Sequence, residues 1–116
     1  MSNAGPLLEK SYTFAVKIVK LGRHIQKNQK EFVISAQLIK SGTSVGANIE
    51  EASQAQSRPD FISKLSIALK EAHETRFWLR LSRDTGLCLS TDVVQLIQDV
   101  EEIVRMLVAS IKTAKH

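Results

Sequence analysis

Apolar side chains recur along this chain at helical rather than strand spacing, and four segments carry the pattern. Leu7, Phe14, Ile18, Leu21 and Ile25 are separated by seven, four, three and four positions, which puts them on one side of a helix ending near Lys27. After the linker Asn28-Gln29-Lys30, the stripe Ile34, Leu38, Val45, Ile49 and Ala52 defines a second helix. Its centre, Ser41-Gly42-Thr43-Ser44-Val45-Gly46, is loop-like in composition, yet the apolar phase continues across it. The reading is a helix, with a kink at Gly42 to Gly46 left open. Small residues there let a neighbouring backbone come close, offsetting a propensity cost of about 1 kcal/mol per Gly.

Ser57-Arg58-Pro59-Asp60 opens a third helix, because Ser57 or Arg58 before the proline suits its start and Asp60 suits its positive end. Its stripe is Phe61, Leu65, Ala68, Ala72, Thr75 and Leu79, while Ile67, Phe77, Trp78 and Leu81 spread apolar surface onto other faces. Thr85-Gly86-Leu87 has the form of a glycine C-cap with a hydrophobic follower. Ser90 or Thr91 is the expected cap of the last helix, with Asp92 in its first turn. Val93, Leu96, Ile97, Val100, Ile103, Val104, Leu107 and Ile111 form its near-heptad seam. Four helices of roughly 20 to 27 residues, each about 30–40 Å long and joined by short turns, predict an all-α, antiparallel up-down-up-down four-helix bundle. Residues 7–114 are read as its single domain. Residues 1–6, beginning Met1-Ser2-Asn3-Ala4-Gly5, read as a leftover of recombinant expression and a disordered start.

Composition agrees with this picture. The chain has 116 residues, 43% of them hydrophobic and 24% charged, with 5 Gly and 2 Pro, as one folded domain requires. The single cysteine, Cys88, excludes an internal disulfide or a multi-thiolate metal centre and makes a cytoplasmic location the expectation. No apolar run approaches the ~20 residues of a membrane helix, so no membrane partner is expected.

Catalytic chemistry finds little footing. His24, His73 and His116 follow Leu21, Lys70 and Thr113 at the third position, so the Glu-x-x-His signature of di-iron bundles is missing. Glu50, Glu51, Glu71 and Glu74 hold a hard cation only in principle, since pairing with Lys70, Arg76 and Arg80 or simple solvation explains them better. Cys88 has no sequence-local histidine, Ser44 has no local base, and the Ser41 to Gly46 segment lacks a phosphate-loop ending. No catalytic residue, metal or cofactor is assigned.

Charge is more informative. The net charge is +4 with a pI near 9.4, and residues 10–30 hold Lys10, Lys17, Lys20, Arg23, Lys27 and Lys30 without one acid. These lie opposite Phe14, Ile18 and Leu21 on the helical wheel. A second set, Arg76, Arg80 and Arg83, ends the third helix. Such single-sign faces attract phosphates and release counterions on binding. The leading expectation is a non-enzymatic protein that binds RNA or DNA through Lys17, Lys20, Arg23, Lys27, Arg80 and Arg83. Tyr12, Phe32, Phe77 and Trp78 are possible stacking platforms but are explained more simply as core or interface. The alternative is a protein-interaction scaffold without nucleic acid, and a metal-dependent enzyme using Glu50, Glu71 and Glu74 ranks last. The apolar excess on helix three, with Tyr12, Val16 and Val19 on helix one, points to self-association centred on Phe77 and Trp78.

Three segments resemble a known family: Ser44-Val45-Gly46-Ala47-Asn48-Ile49-Glu50-Glu51-Ala52, then Phe61-Ile62-x-Lys64-Leu65-x-Ile67-Ala68-Leu69-Lys70-Glu71-Ala72, and the stretch from Trp78-Leu79 to Thr85-Gly86-Leu87. Over about residues 8–112 the chain is similar to the four-helix-bundle proteins encoded within intervening sequences of bacterial 23S ribosomal RNA genes. Gly46 stands where many members carry proline, and Ala52-Ser53 replaces a frequent Glu-Gly. The resemblance extends to the accessory variability protein of diversity-generating retroelements. It implies a ring-shaped homopentamer with a basic surface for nucleic acid and a protein partner such as a reverse transcriptase.

Overall fold

The computed structural model describes residues 5–116 as four helices, α1 (Gly5–Gln29), α2 (Val33–Ser53), α3 (Arg58–Asp84) and α4 (Ser90–Lys115), with no strand among the described residues. Of the start expected to be disordered, residues 1–4 lie outside the described residues. Gly5 and Pro6 belong to the first turn of α1, where the missing proline N–H costs no hydrogen bond.

Local chemistry accounts for most boundaries. α1 ends where Lys30 takes a left-handed conformation, φ 54°. The next residue then caps α2: the Glu31 carboxylate accepts from the backbone N–H groups of Val33, Ile34 and Ser35 at 3.0, 2.8 and 2.8 Å. Partial burial pushes the Glu31 pKa up, but the hydrogen bonds from Ile34, Ser35 and Val33 outweigh it and hold the group below the ordinary carboxylate value. At α3 the Ser57 hydroxyl accepts from Asp60 N–H at 3.2 Å, with proline in the first turn. Its far end is a Schellman motif. Gly86, φ 74°, donates to the Arg83 carbonyl, and Leu87 N–H donates to Ser82 O at 3.0 Å. The expected hydroxyl cap of α4 does not form. Extended Leu89 occupies the cap position and makes no side-chain cap bond, and Asp92 alone complements the helix's positive end.

The molecule measures 45 × 20 × 19 Å, so helices of this length fit only when laid lengthwise beside one another. Each helix packs on the next, and α4 returns to touch α1 along the lightest seam. Phe14, Ile18 and Ile25 meet Leu38, Val45, Ile49, Leu65, Leu79, Val93, Ile103 and Leu107 in a core with essentially no solvent exposure. Five hydroxyl residues are buried among them, and each is satisfied locally, by its own helix or, for Ser35, by the residue that caps it: Ser11, Ser35, Ser41, Thr75 and Ser82 donate to the carbonyls of Leu8, Glu31, Leu38, Glu71 and Trp78. In the interior they behave as small apolar residues.

α2 runs unbroken through Gly42 and Gly46, so the loop-like composition produces no break. The reason is contact with α1. A Cβ on Gly42 would lie 2.6 Å from Ile18 Cγ2, and one on Gly22 would collide with the Ile39 side chain. Gly46 is looser, since its Cβ would meet the Ser11 carbonyl oxygen at 3.4 Å.

Gly42→Ala is therefore expected to lower stability by about 1–3 kcal/mol through overpacking, despite the better helix propensity of alanine. Gly46→Ala is expected to be neutral or to stabilise by up to about 1 kcal/mol. Urea denaturation checks the contrast, and equal effects at both positions would refute it. Glu31→Ala is expected to cost about 1 kcal/mol at neutral pH. Because the folded-state pKa lies below the unfolded one, that difference is constant well above the ordinary value of about 4.3 and shrinks as pH falls through the folded value. Denaturation of both proteins across that range provides the check.

Candidate nucleic-acid interface

α1 buries Leu7, Ser11, Phe14, Ile18, Leu21, Gly22 and Ile25, so its helical period turns the opposite arc to solvent. On that arc Tyr12, Val16, Lys20, Arg23 and Lys27 follow one another at spacings of four, four, three and four, and all are exposed. The stripe spans roughly 22 Å at about 1.5 Å per residue. Tyr12 is 70% exposed. Among the described residues Lys20, Arg23 and Lys27 form no ion pair.

The other expected phosphate ligands stand differently. Lys17 lies at the margin of the stripe with its ammonium 3.6 Å from Asp99 of α4, and Lys10 is 3.2 Å from Glu102. A segment without acids in sequence thus acquires two from α4. Arg83 Nε donates to Asp84 at 2.8 Å, and that hydrogen bond holds the Asp84 carboxyl below its ordinary value. Arg76 is taken up by Glu101 at 2.9 Å. Arg80 is exposed and forms no ion pair among the described residues. It belongs to α3, however, whereas α1 packs against α2 and α4. The structure therefore groups Lys20, Arg23 and Lys27, flanked by Lys17, and does not bring Arg80 and Arg83 to them.

Beside the stripe runs a groove between α1 and α4, floored by Leu21 and Leu96 and rimmed by Lys17, Lys20, His24 and Asp92. Asn28 Nδ2 donates to His24 Nδ1 at 2.8 Å, which orients the imidazole at the groove's edge. No group of three His, Cys, Asp or Glu side chains able to hold a metal occurs among the described residues. Glu51, one of the carboxylates weighed for a cation, instead pairs with Lys64 at 3.3 Å. Among the described residues no helix is long and apolar enough to cross a membrane.

The two aromatics expected at a subunit contact divide in role. Phe77 is 53% exposed, whereas Trp78 is half-buried against the core. The rings meet edge to face with centroids 5.0 Å apart, and Trp78 Nε1 donates to Glu74 at 3.2 Å.

The model of the 23S rRNA-intervening sequence protein family matches residues 6–109. The chain belongs to this family. A solved structure from Bacteroides thetaiotaomicron VPI-5482, described as a protein with unknown function from the S23 ribosomal protein family, is 48% identical with a TM-score of 0.91, the match covering 95% of this chain and 98% of that one. No curated protein matches the chain. Neither the family's description nor the neighbour's indicates an enzyme.

The family-like segments lie within the bundle's helices, the last of them running on into the Gly86 turn. Asn48 Nδ2 donates to the Ser44 carbonyl and hydroxyl at 2.8 and 3.1 Å, and Ile49 and Ala52 are fully buried. Glu51 then reaches Lys64 of the second segment, beside buried Phe61 and Leu65. The Glu51–Lys64 pair joins α2 to α3. Cys88 is half-buried. Burial, and then the charge of Asp92, push its thiol pKa upward, which leaves little thiolate at neutral pH. In the folded protein Cys88 is expected to react with iodoacetamide several-fold more slowly than in denaturant, as mass spectrometry of timed samples would show. Faster reaction in the folded state would contradict this description of the site.

Proposed function

We propose that this protein is a non-enzymatic, cytoplasmic, self-associating four-helix bundle that binds RNA or DNA through phosphate contacts along the outer face of α1. The observation that carries the reading is the stripe of Lys20, Arg23 and Lys27 on one exposed arc, with none of them in an ion pair among the described residues. Unpaired cations release counterions when phosphate replaces them and need give up no internal partner. Lys17 and Arg83 must first leave Asp99 and Asp84, so they contribute less. Exposed Tyr12 offers a stacking surface at the end of the stripe for an unpaired base. Phosphate contacts carry no base information, so the recognition proposed is of backbone and shape.

An antiparallel, up-down-up-down arrangement is supported by the α1–α2 seam, where Gly22 faces Ile39, Ile18 faces Gly42 and Ser11 faces Gly46. Numbers fall along one helix as they rise along the other. Self-association is supported by exposed Phe77 and Ile67. A ring-shaped homopentamer and a protein partner such as a reverse transcriptase are what the family resemblance implies. The alternative, a protein scaffold, draws on exposed Phe32, Val33 and Leu89. They lie in or beside the α1–α2 and α3–α4 turns, which share one end of an up-down bundle.

Fluorescence anisotropy with labelled single-stranded RNA and duplex DNA at about 50 and 200 mM salt tests the reading. Wild type is expected to bind with a steep loss of affinity as salt rises. Lys20→Glu/Arg23→Glu/Lys27→Glu is expected to lower affinity and to flatten the slope of log K against log salt on RNA by up to about 2, at roughly 0.7 per lost phosphate contact. Asp99→Asn/Glu102→Gln, which frees Lys17 and Lys10, is expected to tighten binding. An unchanged triple variant would overturn the assignment of the face. No binding by wild type at low salt would favour the scaffold.

A further inference from the structure

The groove between α1 and α4 differs in chemistry from the basic stripe it borders. α4 touches α1 along the lightest seam of the bundle, and a recess of about 490 Å3 stays open there, within the roughly 300–1,000 Å3 of ordinary small-molecule sites. Its floor is apolar, made by the little surface that Leu21 of α1 and Leu96 of α4 leave outside the core. Its two walls are of opposite character. The α1 wall carries donors: Lys20 forms no ion pair among the described residues, and His24, whose Nδ1 accepts from Asn28 at 2.8 Å, holds its proton on Nε2 when neutral. The α4 wall carries acceptors. Asp92 forms no ion pair among the described residues, and Gln95 donates its amide N–H to Asp99 at 2.9 Å, which leaves its carbonyl oxygen open.

An apolar floor between a donor wall and an acceptor wall suits a flat ring whose edges are polarised in the same sense. We infer that the groove takes an unpaired guanine base of a single strand whose phosphates lie along Lys20, Arg23 and Lys27. Guanine presents two acceptors, O6 and N7, on one edge, and lysine is a common partner for them. On the next edge N1–H and the N2 amino group stand side by side, a pair of donors that matches the two oxygens of a carboxylate. Laid over Leu21 and Leu96 with O6 and N7 towards Lys20 and His24, the base turns N1–H and N2–H towards Asp92.

The other bases fit less well. Adenine brings an unprotonated N1 to the carboxylate and an amino group to the lysine side, so both walls oppose it. Cytosine offers Asp92 one amino group, and uracil one ring N–H between two carbonyls. In a duplex the N1–H and N2 amino group of guanine are taken by cytosine, so the groove selects unpaired strands. A base in a strand is favoured over a free nucleotide because Lys20 belongs both to the groove and to the stripe, which continues through Arg23 and Lys27.

This site rests on the phosphate-binding reading of α1 and adds base discrimination to it. Fluorescence anisotropy at about 50 mM salt tests it with uridine 12-mers that carry at their centre one guanosine, inosine, adenosine, cytidine or abasic residue. The guanosine strand is expected to bind at least about fivefold more tightly than the adenosine, cytidine and abasic strands, the lower end of what a bidentate base contact supplies. Inosine, which keeps N1–H and O6 but lacks the N2 amino group, is expected to fall between. Asp92→Asn is expected to bind all five strands within about twofold of one another while keeping the wild-type dependence on salt, with far-UV circular dichroism confirming that α4 remains helical. Free guanosine 5′-monophosphate is expected to displace the guanosine strand at least tenfold more weakly than the unlabelled strand does. No binding of any strand by wild type would overturn both this site and the phosphate reading. Equal binding of all strands with a steep loss on adding salt, a preference for another base, or a guanosine preference that survives Asp92→Asn would overturn the groove assignment and leave the phosphate reading standing. Displacement by the free nucleotide as effective as by the strand would overturn the strand as its source.

Discussion

The approach of α1 to α2 across Gly42 and Gly22 is the constraint from which the rest of the surface follows. With no side chain at Gly42, Ile18 seats directly on the α2 backbone, and Gly22 gives Ile39 the same room. This fixes the rotation of α1 about its own axis. Phe14, Ile18 and Ile25 point inward, Lys10 and Lys17 lean over the seam towards Glu102 and Asp99, and Tyr12, Val16, Lys20, Arg23 and Lys27 are left outermost. A rotation by one residue, about 100°, would carry the unpaired cations away from that arc. The propensity cost of two glycines in helix interiors, about 1 kcal/mol each, is thus offset by packing that also orients the charged face.

What the sequence made legible was local. Stripe residues such as Leu38, Val45 and Ile49 are fully buried, the Ser57 cap and the Gly86 turn form as their neighbours suggest, and the Ser41 to Gly46 segment stays helical. Each is decided by a few residues in succession. What escaped depends on how two helices are set against each other. Nothing near Lys17 announces Asp99, yet the Asp99 and Glu102 spacing on α4 is the signal that an acidic edge faces some neighbour. Arg80 and Arg83 share the charge of the stripe but not its side of the molecule. Trp78, expected with Phe77 at a subunit contact, is half-buried against the core, a placement that depends on how α3 is set against its neighbours. Glu31 could have been found, since an acid placed just before an apolar periodic run is a candidate cap.

The family-like residues explain the architecture and stop there. Glu51 ties α2 to Lys64 of α3 beside buried Ile49 and Phe61, while Asn48 bonds back to Ser44 within α2, so the roles visible for these residues are architectural. The two surfaces with unspent chemistry lie on different helices, α1 and α3, that do not share a principal seam.

The most direct test of the claim that α1 is the phosphate-binding face is a lysine-acetylation footprint of the native protein with and without saturating single-stranded RNA at low salt. The account predicts that RNA protects Lys20 and Lys27 strongly and Lys17 less, while Lys112 and Lys115 at the end of α4 keep their rates. Uniform protection of all lysines, or protection confined to α4, would contradict it.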